Sequence, residues 1–502
     1  MKSKIVIIGA GINGLVAANY LQRAGRQVTL LEKKEKVGGA AACEFVELDG
    51  KKQYYATGAS VFGLMQKFVW EETGLSKRLK KFAPPEPDLM HFDGVDGGVS
   101  YHHDPVALAR ELRDKWGEVG QIEEYASDLE KVTAYLIQGY QEARPPSIED
   151  AKDRLGEELT NRWITGTARD LVNHYFTSEQ PKVVLLMMMA EGSPVSCEAP
   201  YSAVNIPLIL GGSVFDGDFG FVEGGMWRIT EELGKINKEL GVEIHVSTSV
   251  EHVDTERQTV RFTDDGEQFE EPYDDLVLAT DPLTACKLVG KKADVERTDR
   301  LQFQGTAGKL NLIFKNPIRW KEGDDTRFRY VQNTHSVAEF DAAVSRVLEG
   351  KQPYVPAFMH FYCEGSAMRQ MGVDSPYERM AAFIGFFSLE KKGAGLPEVE
   401  AEIKAKVLSY IENPEDCIWT KLLTPKDLQE LFFFPGGNYE HTMLTNGQVF
   451  DGRNHSANSK NNFYNFGDYE NIYACSAGSY PSGSVTGTPG YMCSQQLLRK
   501  YE

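Results

Sequence analysis

A chain of 502 residues is too long for one compact core, so two or more structural regions are expected. With 41% hydrophobic and 25% charged residues it has the composition of an ordinary globular protein. A formal net charge of -19 argues against nucleic acid as a partner, and against docking on anionic lipid through bulk charge.

A local basic run, Lys77-Arg78-Leu79-Lys80-Lys81, reads as a solvated helix end, and peripheral contact with a membrane stays open. Seven cysteines, odd in number and without a C-x-x-C pair, fit reduced thiols better than a disulfide framework or a zinc site. No metal site is expected. The apolar run Ile5-Val6-Ile7-Ile8 is too short for a signal segment. The longest later run, Val183 to Ala190, falls well below the ~18–20 apolar residues that span a bilayer. These features place the chain in the cytoplasm; its oligomeric state is not legible.

Residues 4–8 read as a buried parallel strand, four β-branched residues after a lysine. The turn Gly9-Ala10-Gly11-Ile12-Asn13-Gly14 follows, then an apolar-faced helix through Leu15, Ala18 and Leu21 that stops at Gly25. A second strand, Gln27-Val28-Thr29-Leu30-Leu31, ends in Glu32 and Lys33. In a dinucleotide site each part has a task. Gly9 permits the tight turn, Gly11 lets the backbone approach a pyrophosphate, and Gly14 lets helix and strand pack closely. The helix N-terminus offers free N–H groups to phosphate. Glu32, 18 residues beyond Gly14, is placed to accept the ribose hydroxyls of an adenosine. These residues alone leave NAD and FAD both open.

Gly38-Gly39, with Ala40 behind it, resembles the extended FAD signature of the amine oxidase and phytoene desaturase superfamily, and the resemblance implies FAD. Relatives often carry Arg or Ser where this chain has Ala40-Ala41-Ala42. Two later segments resemble the family's returns to its nucleotide domain. One runs from Gly224-Gly225-Met226 through Val250, whose backbone meets the adenine in the family, to the strand Asp275–Thr280. The other is the C-terminal Asn471 to Arg499, where Gly478, Ser479, Gly483, Val485 and Thr486 correspond to a glycine-rich turn leading into a helix directed at the flavin ring. Ser479 stands where many amine oxidases have an acid, which tilts the likeness towards desaturases. Lys309-Leu310-Asn311-Leu312 and Gly436-Gly437-Asn438-Tyr439-Glu440-His441 resemble further stretches of that branch, although Arg453 precedes Asn454 where relatives have proline. The section from Tyr354 to Leu389 resembles nothing in the family.

The resemblance implies an α/β fold: a Rossmann-like FAD-binding domain of the glutathione reductase type with an inserted α+β substrate domain. The FAD-binding parts would be 1–75, 216–289 and 431–502, and the substrate parts 76–215 and 290–430. Helices are expected over Pro105–Trp116, Ile122–Ala143 and Asp170–Met189, and an irregular loop around Pro194, Pro200 and Pro207. Met187-Met188-Met189 and Phe432-Phe433-Phe434 could line a pocket, but core is the expectation for both. For catalysis, His441 is a candidate acid or base and Lys309 a candidate to hold a water against the flavin. The function expected is FAD-dependent dehydrogenation or isomerisation of a small hydrophobic, polyene- or lipid-like substrate. A flavin amine or amino-acid oxidase is the rival, and an FAD-stabilised binding protein with little turnover is a third reading.

Overall fold

The computed structural model describes residues 3–264, 266–290, 303–323, 326–350, 357–387, 396–445, 447–456 and 462–502. Tyr354 and Leu389, the ends of the section without a family likeness, lie outside them.

The strand Lys4–Ile8 is buried on both faces, which is why its apolar run does not alternate with polar residues. It lies at the centre of a five-stranded parallel sheet whose order is Ile472–Ala474, Asp275–Leu278, Lys4–Ile8, Gln27–Leu31 and Glu243–His245. Ile5 and Ile7 point to one face, where the helices Ile12–Arg23, Trp227–Glu239 and Thr488–Leu498 pack. Val6 and Ile8 point to the other, where a three-stranded antiparallel sheet (Ser249–Asp254, Thr259–Asp264, Glu267–Pro272) and the helix Pro282–Val289 cover them.

A separate seven-stranded sheet has the order Cys417–Leu423, Gly308–Phe314, Glu378–Gly385, Phe358–Tyr362, Arg329–Gln332, Asp88–Phe92 and Val99–Tyr101. Its pairs are antiparallel except Arg329–Gln332 with Asp88–Phe92. Helices from 105 to 210 accompany it.

The helix Pro105–Trp116 has its expected bounds, capped by Asp104 and closed by the left-handed Gly117. The second helix, Ile122–Gln141, ends just short of Ala143. The third expectation is corrected. Instead of one helix over Asp170–Met189 there are two, Ala168–Tyr175 and Glu179–Met189. Phe176 turns extended and Ser178 restarts the chain, which puts Pro181 in a first turn, where a missing N–H costs no helical bond. For the same reason Pro207 sits inside the short helix Asn205–Leu210, not in the expected loop.

The basic run is tied to the protein's own surface: Arg78 pairs with Glu239 and Lys80 with Glu223, while Lys81 lies over the Phe215 ring. Among the described residues no helix is long and apolar enough to cross a membrane, and no group of three or more His, Cys, Asp or Glu is placed to hold a metal ion. All seven cysteines are free thiols.

Candidate active site

A cavity of about 280 Å³ opens where the strands Lys4–Ile8, Gln27–Leu31 and Asp275–Leu278 end, at the carboxyl edge where parallel sheets take ligands. Gly9 turns there with φ +105°, and a Cβ on it would lie 3.0 Å from the Ala279 carbonyl oxygen. A Cβ on Gly14 would lie 2.0 Å from the Gly9 carbonyl oxygen, so this glycine serves packing within the turn. Gly11 differs. The nearest atom to its added Cβ, Gly39 Cα, is 3.9 Å away, so the space beside it belongs to the cavity. The Gly38 N–H donates to the Ala10 carbonyl at 2.9 Å, which draws the two glycine stretches together.

Glu32 is buried, and its Oε2 accepts the Ala10 N–H at 2.7 Å while Oε1 accepts the Lys34 N–H at 2.9 Å. The acid at the strand's end therefore also braces the turn. Gly11 caps the helix Ile12–Arg23 without a side-chain bond, leaving first-turn N–H groups for an anion.

The residues fit a dinucleotide. Three buried polar atoms on residues lining the cavity, Asn13 Oδ1, Thr280 Oγ1 and His441 Nδ1, have no protein partner. Of the residues singled out in the sequence, Gly9, Gly11, Asn13, Glu32, Lys33 and Gly38 line this cavity. So do Gly39, Ala40, Val250, Gly483 and Val485. Gly14, Gly478, Ser479 and Thr486 do not. Gly478 packs against Pro282, the buried Ser479 hydroxyl meets His455 Nε2 at 3.3 Å, and Thr486 Oγ1 accepts the Thr488 N–H to start the last helix. Lys33 carries its ammonium over the Phe433 ring, and burial lowers its pKa.

Behind the turn 476–485 lie two buried ionisable groups, Glu440, whose carboxyl burial pushes up, and Arg453. Glu440 accepts the Gly483 N–H at 2.5 Å and the Ser484 hydroxyl at 3.1 Å. Arg453 donates to the carbonyls of Gln448, Ala477, Ser479 and Thr442. Burial lowers the guanidinium to about 10, against the attraction of Glu440. It stays charged at neutral pH and knits the turn to the preceding loop.

A second cavity, of about 180 Å³, adjoins the first and shares Ala40, Phe432, Phe434, Tyr439, Ser484 and Val485 with it. Its wall is chiefly apolar and aromatic, with a few polar side chains. Lys309 is buried, and its Nζ donates to the carbonyls of Ala56 (2.7 Å) and Gly58 (2.8 Å). Burial pulls its pKa down to about 8. Glu191, just after the helix Glu179–Met189, and His360, in the strand Phe358–Tyr362, are 3.5 Å apart. Burial drives them in opposite directions, the Glu191 carboxyl up to about 8 and the His360 imidazole down to about 3. Tyr330, Tyr362 and Tyr439, with Thr57, Ser60 and Ser484, complete the polar lining.

The structure thus separates the two catalytic candidates. Lys309 lines the second cavity and His441 the first. Burial lowers His441 to about 4, so it is neutral at neutral pH and does not titrate there as the sequence led one to expect. Phe432 and Phe434 are buried with Leu428 in a small core cluster, as expected, and also line both cavities; Phe433 departs from the expectation and is exposed. Met187 is core and touches His360 Nε2 through its sulfur at 3.1 Å, while Met188 lines a third cavity. Glu191, His360, Tyr330 and Tyr362 carried no signal in the sequence, since each stands alone with no spacing to a partner.

A folded-state pKa raised for Glu191 means stability present below its unfolded value near 4.3 and lost as pH rises to about 8. Glu191→Gln is therefore expected to leave stability unchanged at pH 4.5. By pH 8.5 it should gain about 2–4 kcal/mol over wild type, read as a Tm difference that widens with pH. A Tm difference independent of pH would contradict this.

The family model described as flavin containing amine oxidoreductase matches residues 12–383. Pyridine nucleotide-disulfide oxidoreductase domain-containing protein 2 of Rattus norvegicus is 21% identical and covers 98% of this chain and 93% of its own length. Carotenoid 3,4-desaturase of Haloarcula japonica is 29% identical over 46% of this chain and 48% of its own. Among solved structures, putrescine oxidase bound to putrescine superposes with a TM-score of 0.59 at 15% identity, covering 100% of this chain and 99% of that one. Cyclohexylamine oxidase from Brevibacterium oxydans does so at 0.57 and 12%, covering 100% and 98%. At such identities these two speak for the fold alone. With a family match over most of its length and a cavity whose unpartnered groups suit a dinucleotide, the chain belongs to the flavin containing amine oxidoreductase family and is an FAD-dependent oxidoreductase.

Proposed function

We propose that the protein dehydrogenates or isomerises a hydrophobic, polyene- or lipid-like molecule held in the second cavity. The observation that carries this reading is the wall common to the two cavities, aromatic and apolar on the substrate side. The desaturases among its relatives support the same class of substrate.

In this reading the ADP part of FAD is held by the turn from Gly9 to Gly14, the first N–H groups of the helix Ile12–Arg23, and Glu32. Ala40, Val250, Gly483, Ser484 and Val485 flank the remainder, as in the glutathione reductase type of nucleotide domain. The parts 1–75, 216–289 and 431–502 form that domain, and 76–215 and 290–430 the substrate domain. Support comes from the parallel sheet drawing its strands from the first set and the seven-stranded sheet drawing its strands from the second. FAD, when bound, supplies a hydride acceptor.

The chain's own part is to orient the substrate, exclude water and hold protons. Phe219, Phe383, Phe432 and Phe434 supply an apolar wall. Lys309 spends two of its N–H donors on Ala56 and Gly58 and keeps one for a water or a substrate atom in the cavity. Neutral His441 is assigned to the cofactor side. Lys309→Met is expected to retain FAD while slowing substrate-driven flavin bleaching by roughly 100-fold, measured by anaerobic stopped-flow. Unchanged bleaching would remove Lys309 from the reaction.

Oxidation of an amine is the second reading, favoured by the tyrosines and the carboxyl group of Glu191 in the same cavity. The deciding experiment is anaerobic reductive titration of the yellow holoprotein, after FAD is identified in its acid supernatant, against a polyene series and an amine series. Bleaching by polyenes supports the first reading, and bleaching by amines alone replaces it with the second.

A further inference from the structure

The polar groups in the second cavity narrow what it can hold, given the reading of that cavity as the substrate site. Glu191 and His360 come from different elements and meet at 3.5 Å. The remaining contacts of His360 are weak or neutral: Nε2 lies 3.1 Å from the Met187 sulfur and Nδ1 lies 3.2 Å from the Tyr362 hydroxyl. The rings of Tyr330 and Phe358 enclose it, with centroids at 4.5 and 5.4 Å. Glu191, Phe219 and Tyr330 also line a third cavity, of about 360 Å³, so Glu191 stands where two chambers adjoin, with His360 on the side of the second. That third chamber is itself acidic, with Asp88, Asp216 and Asp218 in its wall.

We propose that the second cavity binds an elongated apolar molecule bearing one neutral oxygen, a hydroxyl or a carbonyl, that hydrogen-bonds to Glu191 and His360 at the junction of the two chambers.

The alternatives fail on charge or on solvation. A pure hydrocarbon would leave the buried Glu191 carboxyl with little beyond its 3.5 Å contact to His360, and a poorly met buried carboxyl is costly. An anion would face Glu191 with Glu440 nearby. A cation would require Glu191 to be ionised. Among the described residues lining this cavity the sole lysine or arginine is Lys309, already bonded to two carbonyls and no neighbour of Glu191 in any ion pair. The groups facing the pair, Tyr330, Tyr362 and Tyr439 with Glu440 behind, supply no positive charge to hold a carboxylate. Burial accordingly keeps both members neutral at neutral pH, the carboxyl able to donate and the imidazole able to donate at one nitrogen and accept at the other. A neutral oxygen is the ligand group that can pair with the Glu191 carboxyl as donor or acceptor and compete with the weak Met187 and Tyr362 contacts of His360.

The test is a binding titration of the FAD-loaded protein at neutral pH with a chain-matched set: octane, 1-octanol, octylamine and octanoate. The readout is the change in the flavin absorption band. The expected result is 1-octanol binding about tenfold or more tightly than each of the others. Glu191→Leu should bring the alcohol to the affinity of octane, while Glu191→Gln, which keeps a neutral donor and acceptor, should restore it to within about threefold of wild type. A preference for octylamine that is lost in Glu191→Gln would overturn the inference in favour of an ionised, cation-binding carboxylate. Equal response to all four probes would also overturn it while leaving the apolar cavity as the substrate site. No response to any probe would take down both readings together. Should the variants fail to fold, the ranking of the four probes on the wild-type protein decides.

Discussion

Gly11→Ala is expected to yield a folded protein that no longer holds its flavin. The backbone at Gly11 has φ −70°, which any residue adopts, and the added methyl would find its nearest protein neighbour 3.9 Å away. The apoprotein should therefore melt within about 1–2 °C of the wild-type apoprotein, since nothing in the fold is crowded. The methyl would instead stand in the space that a pyrophosphate must enter to reach the helix N-terminus. FAD affinity should fall on the order of 100-fold or more, equivalent to at least about 2.7 kcal/mol. Gly14→Ala, three residues on, should behave in the opposite way. Its methyl would lie 2.0 Å from a backbone oxygen, so the turn itself could not form and soluble protein would be lost. Thermal melts of the apoproteins with fluorescence titration of FAD separate the two effects. Wild-type affinity in Gly11→Ala would remove the glycine turn from the phosphate site.

Arg453→Leu should be the most damaging single change outside that turn. It would strip hydrogen bonds from four backbone carbonyls in a part of the protein where water does not reach. Leaving buried acceptors unmet costs about 1–3 kcal/mol each. A loss above about 5 kcal/mol is expected, enough to unfold a typical domain. Arg453→Lys keeps the charge but reaches fewer carbonyls, so it should recover part of the loss. Denaturant melts of the three proteins check the order, and a leucine variant as stable as wild type would show that the turn 476–485 holds without the arginine.

The nucleotide half of the site was legible because its signal is local. Strand, glycine turn, helix, strand and acid follow one another within 32 residues, and each step is dictated by backbone geometry that neighbours in the chain decide. Lys309 could be picked out through a family likeness, and it does face the second cavity. Glu191, Tyr330 and His360 could not. They stand on a helix end and two strands separated by long stretches of chain, and a lone Glu or His has no periodicity to betray burial. Arg453 showed only as a departure from a pattern, the Asn after it replacing a proline, and its work on four carbonyls belongs to tertiary structure. The split of the expected Asp170–Met189 helix was missed for a different reason. The expected helix ran across Pro181, which a helix interior would not accept, and the residue is accommodated because a new helix begins just before it.

The central sheet also sets an order of events during synthesis. Its middle strand, Lys4–Ile8, is made long before one of its two neighbours, Asp275–Leu278, and before Ile472–Ala474 at one edge. The last helix then lays Gly487 against Val16 and Gly490 against the backbone of Asn13, on the first helix. A nascent chain thus carries a glycine turn with one wall missing for most of its translation, exposing apolar strand surface that only distant sequence can cover. Flavin capture then waits on segments made far apart in time, and the cofactor arrives as a late clasp on a domain whose distant parts have just met.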